Sequence, residues 1–163
     1  MSNFWTIKSF LPGMLERNRG HIVSISSSAG LFGVSRLAPY CASKFAVTGL
    51  TESLYCELFN MKKLATISNP KGIFISCVHP YFVSTPLAKG AQRGSTIKSY
   101  SPEEAVDSIV DGVLRNKRML LLPQALGVLL FQKSILAGDT GLHMAEVVKV
   151  HNAFDNFEGR GWK

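Results

Sequence analysis

The chain has 163 residues, of which 46% are hydrophobic and 18% are charged, and its formal net charge is +7. This balance fits one compact globular domain and excludes a disordered chain. The positive charge favours acidic partners in general, but the basic residues are scattered and no nucleic-acid-binding motif accompanies them, so we expect no nucleic-acid partner.

The first half of the chain is predicted to form two helices with a strand between them. Phe4–Asn18 has apolar residues at helical spacing, and Pro12 inside it predicts a kink or an early break. His21–Ser26 is a β-branched run typical of a buried strand, and small residues and a loop follow it. Tyr40–Phe59 is the longest predicted helix and is apolar on two sides. One side can face its own core and the other a partner subunit.

The second half continues the alternation of strands and helices. Ser101, Pro102 and two early glutamates predict the start of a helix that runs to about Asn116. The other predicted elements are a strand at Ile73–Val78, a long loop from Val83 to Ser101, a strand at Met119–Leu122, and helical segments near Gln124–Lys133 and Leu142–Phe154. Strands that alternate with helices indicate an α/β fold, with a parallel sheet covered on both faces.

Metal sites and targeting segments have no signature in this sequence. The four histidines lack metal-ligand spacing and the three cysteines form no CxxC pair, so we expect no metal. The N-terminus lacks a basic region followed by an apolar run, so we expect no targeting segment in this chain. The longest apolar stretch, Met119–Phe131, is too short to span a bilayer. It fits a core strand with a packing helix, or a segment that docks on a lipid surface.

Tyr40 and Lys44 are the most informative pair of residues. Four residues apart on a helix, they share one face, one turn apart. An ammonium close to a phenol favours the phenolate, so the pair can exchange protons near neutral pH. Ser27 lies thirteen residues upstream of Tyr40, in a serine-rich loop after a predicted strand. A helix-surface pair without chemistry and a serine that merely caps a turn are the alternative interpretations.

These residues resemble the short-chain dehydrogenase/reductase family. Ser27, Tyr40 and Lys44 have the family's spacing, and a later strand ends in its proline-threonine turn, Pro80–Thr85. Further stretches are similar to the branch that contains epidermal retinol dehydrogenase 2 and the lipid-droplet 17-beta-hydroxysteroid dehydrogenases. These stretches are Phe4-Trp5-Thr6, Phe10-Leu11-Pro12, Gly20-His21-Ile22-Val23, Ile25-Ser26-Ser27-Ser28-Ala29-Gly30 and Tyr40-Cys41-Ala42-Ser43-Lys44-Phe45-Ala46.

The resemblance implies a role for each matched residue. Tyr40 is the general acid/base, Lys44 favours its phenolate and binds the nicotinamide ribose, and Ser27 hydrogen-bonds the substrate oxygen. Tyr40, Lys44, Pro80, Val83 and Thr85 are the implied contacts to NAD or NADP. The implied substrate is a hydroxyl or carbonyl of a retinoid or steroid-like lipid, and the aromatic residues Phe32, Tyr81 and Phe82 with Leu87 either line its pocket or anchor their loops.

The resemblance also implies a partner and a location. The partner is a homo- or hetero-dimer mate bound through the Tyr40–Phe59 helix. The location is the cytosolic face of the endoplasmic reticulum or of a lipid droplet, with a membrane or droplet surface as a further partner.

One departure from the family concerns the cofactor. No GxxxGxG or GxGxxG turn for the pyrophosphate occurs in the sequence. We therefore expect a single partial domain over residues 1–163, the C-terminal, catalytic part of a Rossmann-like doubly wound parallel sheet without its N-terminal nucleotide-binding strands. Two functions stay open: an NAD(P)-dependent oxidoreductase, and a catalytically silent, dimerising interaction protein.

Overall fold

The computed structural model describes residues 2–66, 70–85 and 98–135. The predicted helix at Leu142–Phe154 and most of the predicted loop after Thr85 lie outside these residues. The helices are α1 (Ser2–Glu16), α2 (Ala38–Asn60), α3 (Pro102–Leu114) and α4 (Leu126–Ile135), and the strands are β1 (Arg19–Ile25), β2 (Gly72–Pro80) and β3 (Met119–Leu122); a 3-10 turn covers Ser28–Gly30.

The three strands form one parallel sheet in the order β1-β2-β3. Arg19 pairs with Gly72 at the start of β1, and Cys77 pairs with Met119 at the start of β3. Because all three strands run the same way, their carboxyl ends lie at one edge of the sheet. The predicted parallel α/β fold is confirmed for the described part of the chain.

Two apolar clusters cover the two faces of this sheet. On one face, Leu58 of α2 and Ile73 of β2 are fully buried, and partly buried apolar side chains of α1 pack against them. On the other face, Val78 of β2 packs with Leu120 of β3 and Ala105 of α3. Side chains alternate between the faces along a strand, so Ile73 and Val78 on the same strand point to opposite clusters.

The ends of the helices follow the sequence signals. Ser101 caps α3: its hydroxyl accepts from the Glu104 N–H, while the Glu104 carboxylate accepts from the Ser101 N–H. Of the two alternatives predicted at Pro12, a kink or an early break, the break is wrong, because α1 continues through this residue. Pro39 lies in the first turn of α2, where a missing N–H costs no helical hydrogen bond.

The stretch from Met119 to Phe131 forms the predicted strand and the first turns of the predicted helix. Leu120 and Leu122 of β3 and Leu126 of α4 are buried in the core, whereas Val128 and Phe131 of α4 are exposed. Within residues 2–66, 70–85 and 98–135, none of the helices combines the length and apolarity that crossing a membrane requires. The second apolar side predicted for α2 consists of Cys41, Phe45, Cys56 and Phe59. Cys41 is buried, and the other three are exposed.

Candidate functional site

The site forms at the carboxyl edge of the sheet, where two strands end beside the first turns of α2. After β1 the chain enters Ser26 and Ser27, and β2 ends at Pro80. Ser26 continues the sheet pairing for one more step, because its N–H donates to the Val78 carbonyl at 2.8 Å. The loop between β1 and α2 (residues 26–37), called the serine loop below, is therefore joined to β2 by a backbone hydrogen bond, independently of any side chain.

Ser26 fixes the serine loop to α2. Its buried hydroxyl donates to the Lys44 carbonyl at 3.0 Å and lies 3.0 Å from the Thr48 hydroxyl. Gly30 makes this approach possible, since a Cβ there would lie 2.4 Å from the Ser26 Oγ and 2.8 Å from the Lys44 carbonyl oxygen. The close packing of the loop on the helix thus depends on a residue without a side chain.

Ser27 is buried and caps the short 3-10 turn that follows it. Its hydroxyl accepts from the Ala29 N–H at 3.2 Å and donates to the Pro80 carbonyl at 3.4 Å. The second contact is longer than an ordinary O–H···O bond and is correspondingly weak. A stronger acceptor that reached this edge could replace the Pro80 carbonyl as the partner of the Ser27 hydroxyl with little loss of free energy.

Tyr40 and Lys44 lie next to each other on the first turns of α2. The Lys44 ammonium lies 5.7 Å from the centre of the Tyr40 ring, and it donates to the carbonyl of Ile25, the last residue of β1, at 3.2 Å. Tyr40 is 38% exposed and faces solvent, whereas Lys44 is partly buried. Partial burial lowers the pKa of the Lys44 ammonium, an effect that the nearby Cys77 opposes. The predicted helical spacing therefore yields an adjacent pair at the carboxyl end of β1.

The residues after β2 lie on the same side of the sheet. Pro80 ends β2 and offers its carbonyl to Ser27. Val83 is partly buried, packs against the Val78 cluster and pairs with Tyr100, and the Thr85 N–H donates to the Val83 carbonyl at 2.8 Å. Of the residues considered for a substrate pocket, Phe32, Tyr81 and Phe82 are partly buried and Leu87 lies outside the described residues.

Two side chains that hold the serine loop were not anticipated from the sequence. The fully buried His79 places its Nδ1 3.1 Å from the Ser27 carbonyl. Lys133 of α4 donates to the Leu31 carbonyl, and its ammonium also lies over the ring of Phe32. For His79, the available signal was a histidine at the end of a largely apolar strand. For Lys133, no local signal existed.

The described residues offer acid–base groups and hydrogen-bond donors rather than metal ligands. Across the described ranges, no cluster of three or more histidine, cysteine, aspartate or glutamate side chains could hold a metal ion. What the edge presents is a phenol, an ammonium and a hydroxyl. These groups can exchange a proton with a substrate oxygen and stabilise charge on it.

A parallel sheet with helices on both faces and polar groups at its carboxyl edge defines a Rossmann-like α/β protein. The family model described as short chain dehydrogenase matches residues 1–95 of the chain. The chain therefore belongs to the short-chain dehydrogenase family, which confirms the resemblance seen in the sequence.

Particular relatives resemble almost the whole chain. It is 41% identical over 158 residues to epidermal retinol dehydrogenase 2 of Homo sapiens, covering 96% of this chain and 49% of that protein. It is 38% identical over 130 residues to 17-beta-hydroxysteroid dehydrogenase 13 of Homo sapiens, covering 80% of this chain and 41% of the relative. The chain thus spans about half the length of the curated relatives it matches.

The fold also matches a solved structure. A short-chain dehydrogenase/reductase from Burkholderia phymatum, crystallised in complex with NAD, superposes with a TM-score of 0.61 at 23% sequence identity. The match covers 78% of this chain and 52% of that chain. At this identity the likeness concerns the fold alone, and again it includes about half of the larger protein.

Proposed function

We propose that this chain carries the proton-transfer part of an NAD(P)-dependent oxidoreductase that acts on a hydroxyl or carbonyl of a lipidic molecule, such as a retinoid or a steroid. Residues 1–163 then form one partial dehydrogenase domain, its catalytic half. The observation that carries the proposal is the placement of Tyr40 and Lys44 side by side at the carboxyl end of β1, beside the loop that bears Ser27. The retinol and steroid dehydrogenases among the relatives support the lipidic substrate.

In the oxidative direction, the phenolate of Tyr40 takes the proton of the substrate hydroxyl. The Lys44 ammonium stabilises that phenolate, and the backbone bond to the Ile25 carbonyl holds the ammonium in place. The Ser27 hydroxyl turns from the long contact with the Pro80 carbonyl to donate to the substrate oxygen, whose negative charge it stabilises. Reduction uses the same three groups with the proton moving the other way.

The residues present fit the nicotinamide end of the cofactor. When bound, the nicotinamide accepts or donates the hydride. The exposed Tyr40 phenol and the Lys44 ammonium at the edge of the sheet are suitable donors for ribose hydroxyls, and Pro80, Val83 and Thr85 would border the nicotinamide side. A glycine-rich turn for the pyrophosphate is not part of this sequence. With a lipidic substrate, we propose that the reaction takes place beside a membrane or lipid droplet, on its cytosolic face.

The test separates nucleotide binding from catalysis. NADH and NADPH are titrated into the purified chain while nucleotide fluorescence is recorded, and turnover is measured with retinol and with a 17-beta-hydroxysteroid. We expect saturable binding to the wild-type chain. Tyr40→Phe removes one of the two proposed ribose donors, so it should still bind nucleotide through Lys44, with a lower affinity, and should lose turnover. Tyr55→Phe is the matched control, because Tyr55 lies on the same helix with its ring under the Arg118 guanidinium, away from the site.

Failure to saturate with either nucleotide would contradict catalysis by this chain alone. The alternative function, a silent protein that dimerises through α2, predicts that outcome together with co-sedimentation of the chain with full-length epidermal retinol dehydrogenase 2. The exposed side chains of Phe45 and Phe59 on α2 are the surface that such a contact would use. Equal turnover by Tyr40→Phe and the wild-type chain would contradict the acid/base role of Tyr40.

A further inference from the structure

Besides the bond from the Ser26 N–H to the Val78 carbonyl, the buried side chain of His79 joins the serine loop to the end of β2. Its Nδ1 lies 3.1 Å from the Ser27 carbonyl oxygen, and the residue has no exposed surface. A carbonyl can only accept, so Nδ1 must carry the proton and donate it. The same carbonyl also accepts from the Gly30 N–H at 2.9 Å, and both of its lone pairs are therefore used.

The two hydrogen bonds on the Ser27 carbonyl have different effects. The bond from Gly30 lies within the 3-10 turn and fixes only the shape of the turn. The bond from His79 connects the turn to the sheet across 52 residues of chain. It lies one residue beyond the Ser26 N–H bond to the Val78 carbonyl, and so it extends that attachment to the peptide group of Ser27. The hydroxyl of Ser27 adds only the long contact to the Pro80 carbonyl at 3.4 Å.

The far side of the ring makes no competing hydrogen bond. The Nε2 atom of His79 is buried and has no hydrogen-bond partner among the described residues. His79 lines a small cavity between α2 and β2 together with Thr48, Thr51 and Cys77. The assignment of the proton to Nδ1 therefore rests on the contact with the Ser27 carbonyl.

We propose that His79 is a positioning residue for Ser27: the Nδ1–H of His79 holds the Ser27 backbone so that the Ser27 hydroxyl stays at the carboxyl edge of the sheet. The proposal rests on the function proposed above, in which that hydroxyl serves the substrate oxygen. His79 touches neither substrate nor cofactor in this scheme. It acts through the peptide group of Ser27.

The test compares two substitutions of His79 with a control on the same strand. His79→Asn keeps a side-chain N–H close to the place of Nδ1, and His79→Leu removes the donor while filling a similar volume. Ile73→Val is the control, since Ile73 is fully buried at the opposite end of β2 and its shortening weakens the core without touching the serine loop. The readout is the hydrogen exchange of the Ala29 amide, which donates to the Ser27 hydroxyl.

We expect His79→Leu to speed exchange at Ala29 about five- to tenfold relative to the rest of the chain. His79→Asn should restore most of the protection, and Ile73→Val should leave Ala29 unchanged relative to its neighbours. Wherever turnover is measurable, kcat should fall at least tenfold in His79→Leu, with the nucleotide affinity retained. Unchanged exchange at Ala29 in His79→Leu would overturn the proposal.

A measurement on the wild-type chain covers the case in which His79→Leu does not fold. Nitrogen-15 NMR of the His79 ring should show the proton on Nδ1, and a proton on Nε2 instead would overturn the proposal. The exchange and NMR readouts do not depend on catalysis. If exchange at Ala29 rises as expected while kcat is unaffected, the positioning contact stands and the proposed role of Ser27 fails.

Discussion

Replacing Gly30 by alanine tests how the serine loop is seated on α2. A Cβ at this position would lie 2.4 Å from the Ser26 Oγ, 2.8 Å from the Lys44 carbonyl oxygen and 2.9 Å from the Lys44 carbonyl carbon. The last two atoms belong to the backbone of a 23-residue helix and cannot move aside alone. The Ser26 hydroxyl is itself held by the Lys44 carbonyl.

The cost of this substitution follows from the shift that it forces. The loop must move away from α2 by about 0.6 Å before the new Cβ reaches an ordinary contact distance of about 3.4 Å from the carbonyl oxygen. Overpacking of this kind costs about 1–3 kcal/mol. The lower conformational entropy of the unfolded alanine chain returns about 0.4–1 kcal/mol. We therefore expect a net loss of about 1–2 kcal/mol in the free energy of unfolding.

Urea unfolding followed by far-UV circular dichroism measures this loss. With a urea dependence of about 2 kcal/mol per molar, typical of small proteins, the midpoint of Gly30→Ala should fall by about 0.5–1 M. Two glycines provide matched controls, because a Cβ on Gly33 in the same loop or on Gly49 of α2 would meet no atom within 4 Å. Gly33→Ala meets no clash and gains the same unfolded-state effect, so it should leave the midpoint unchanged or raise it slightly, and Gly49→Ala should raise it. Equal midpoints for Gly30→Ala and Gly33→Ala would refute the close-approach argument.

Two further predictions concern stability. Ser101→Ala removes the hydroxyl that caps α3 and should lower the free energy of unfolding by about 1 kcal/mol. Ser108→Ala, inside the same helix, is the control and should not change it measurably. Equal urea midpoints for the two variants would contradict the capping role of Ser101. Burial lowers the pKa of His79, against smaller opposing effects of its backbone hydrogen bond and of Glu52, and burial also lowers the pKa of His21. Below about pH 6.5, the unfolded chain therefore binds more protons than the folded chain. The free energy of unfolding that these two rings contribute is complete above this pH. It is lost as the pH falls toward the pKa values of the rings in the folded chain. The urea midpoint should therefore decline from pH 7.5 to pH 5.5, and less steeply in His79→Asn; an identical decline in that variant would exclude a contribution from His79.

The sequence alone determined the order and type of the described elements. Their signals are local: the apolar spacing of Tyr40–Phe59, the cap at Ser101 and the β-branched run before Ser26 each act within a few residues. The pairing of Tyr40 with Lys44 was predictable for the same reason, since four residues of helix fix their separation. The early break that Pro12 allowed does not occur, because packing of α1 on the core retains a helix that this residue alone would tend to break.

Tertiary structure decided how the candidate site is held. The bonds from His79 to the Ser27 carbonyl and from Lys133 to the Leu31 carbonyl join groups 52 and 102 residues apart. Such bonds end on backbone carbonyls, which every residue possesses, so the residue types at their ends carry no signal of the pairing. The need for Gly30 was equally hidden, since only the packed helix shows which atoms a side chain there would meet. Local spacing thus identifies the reactive groups, and the folded chain alone fixes their positions.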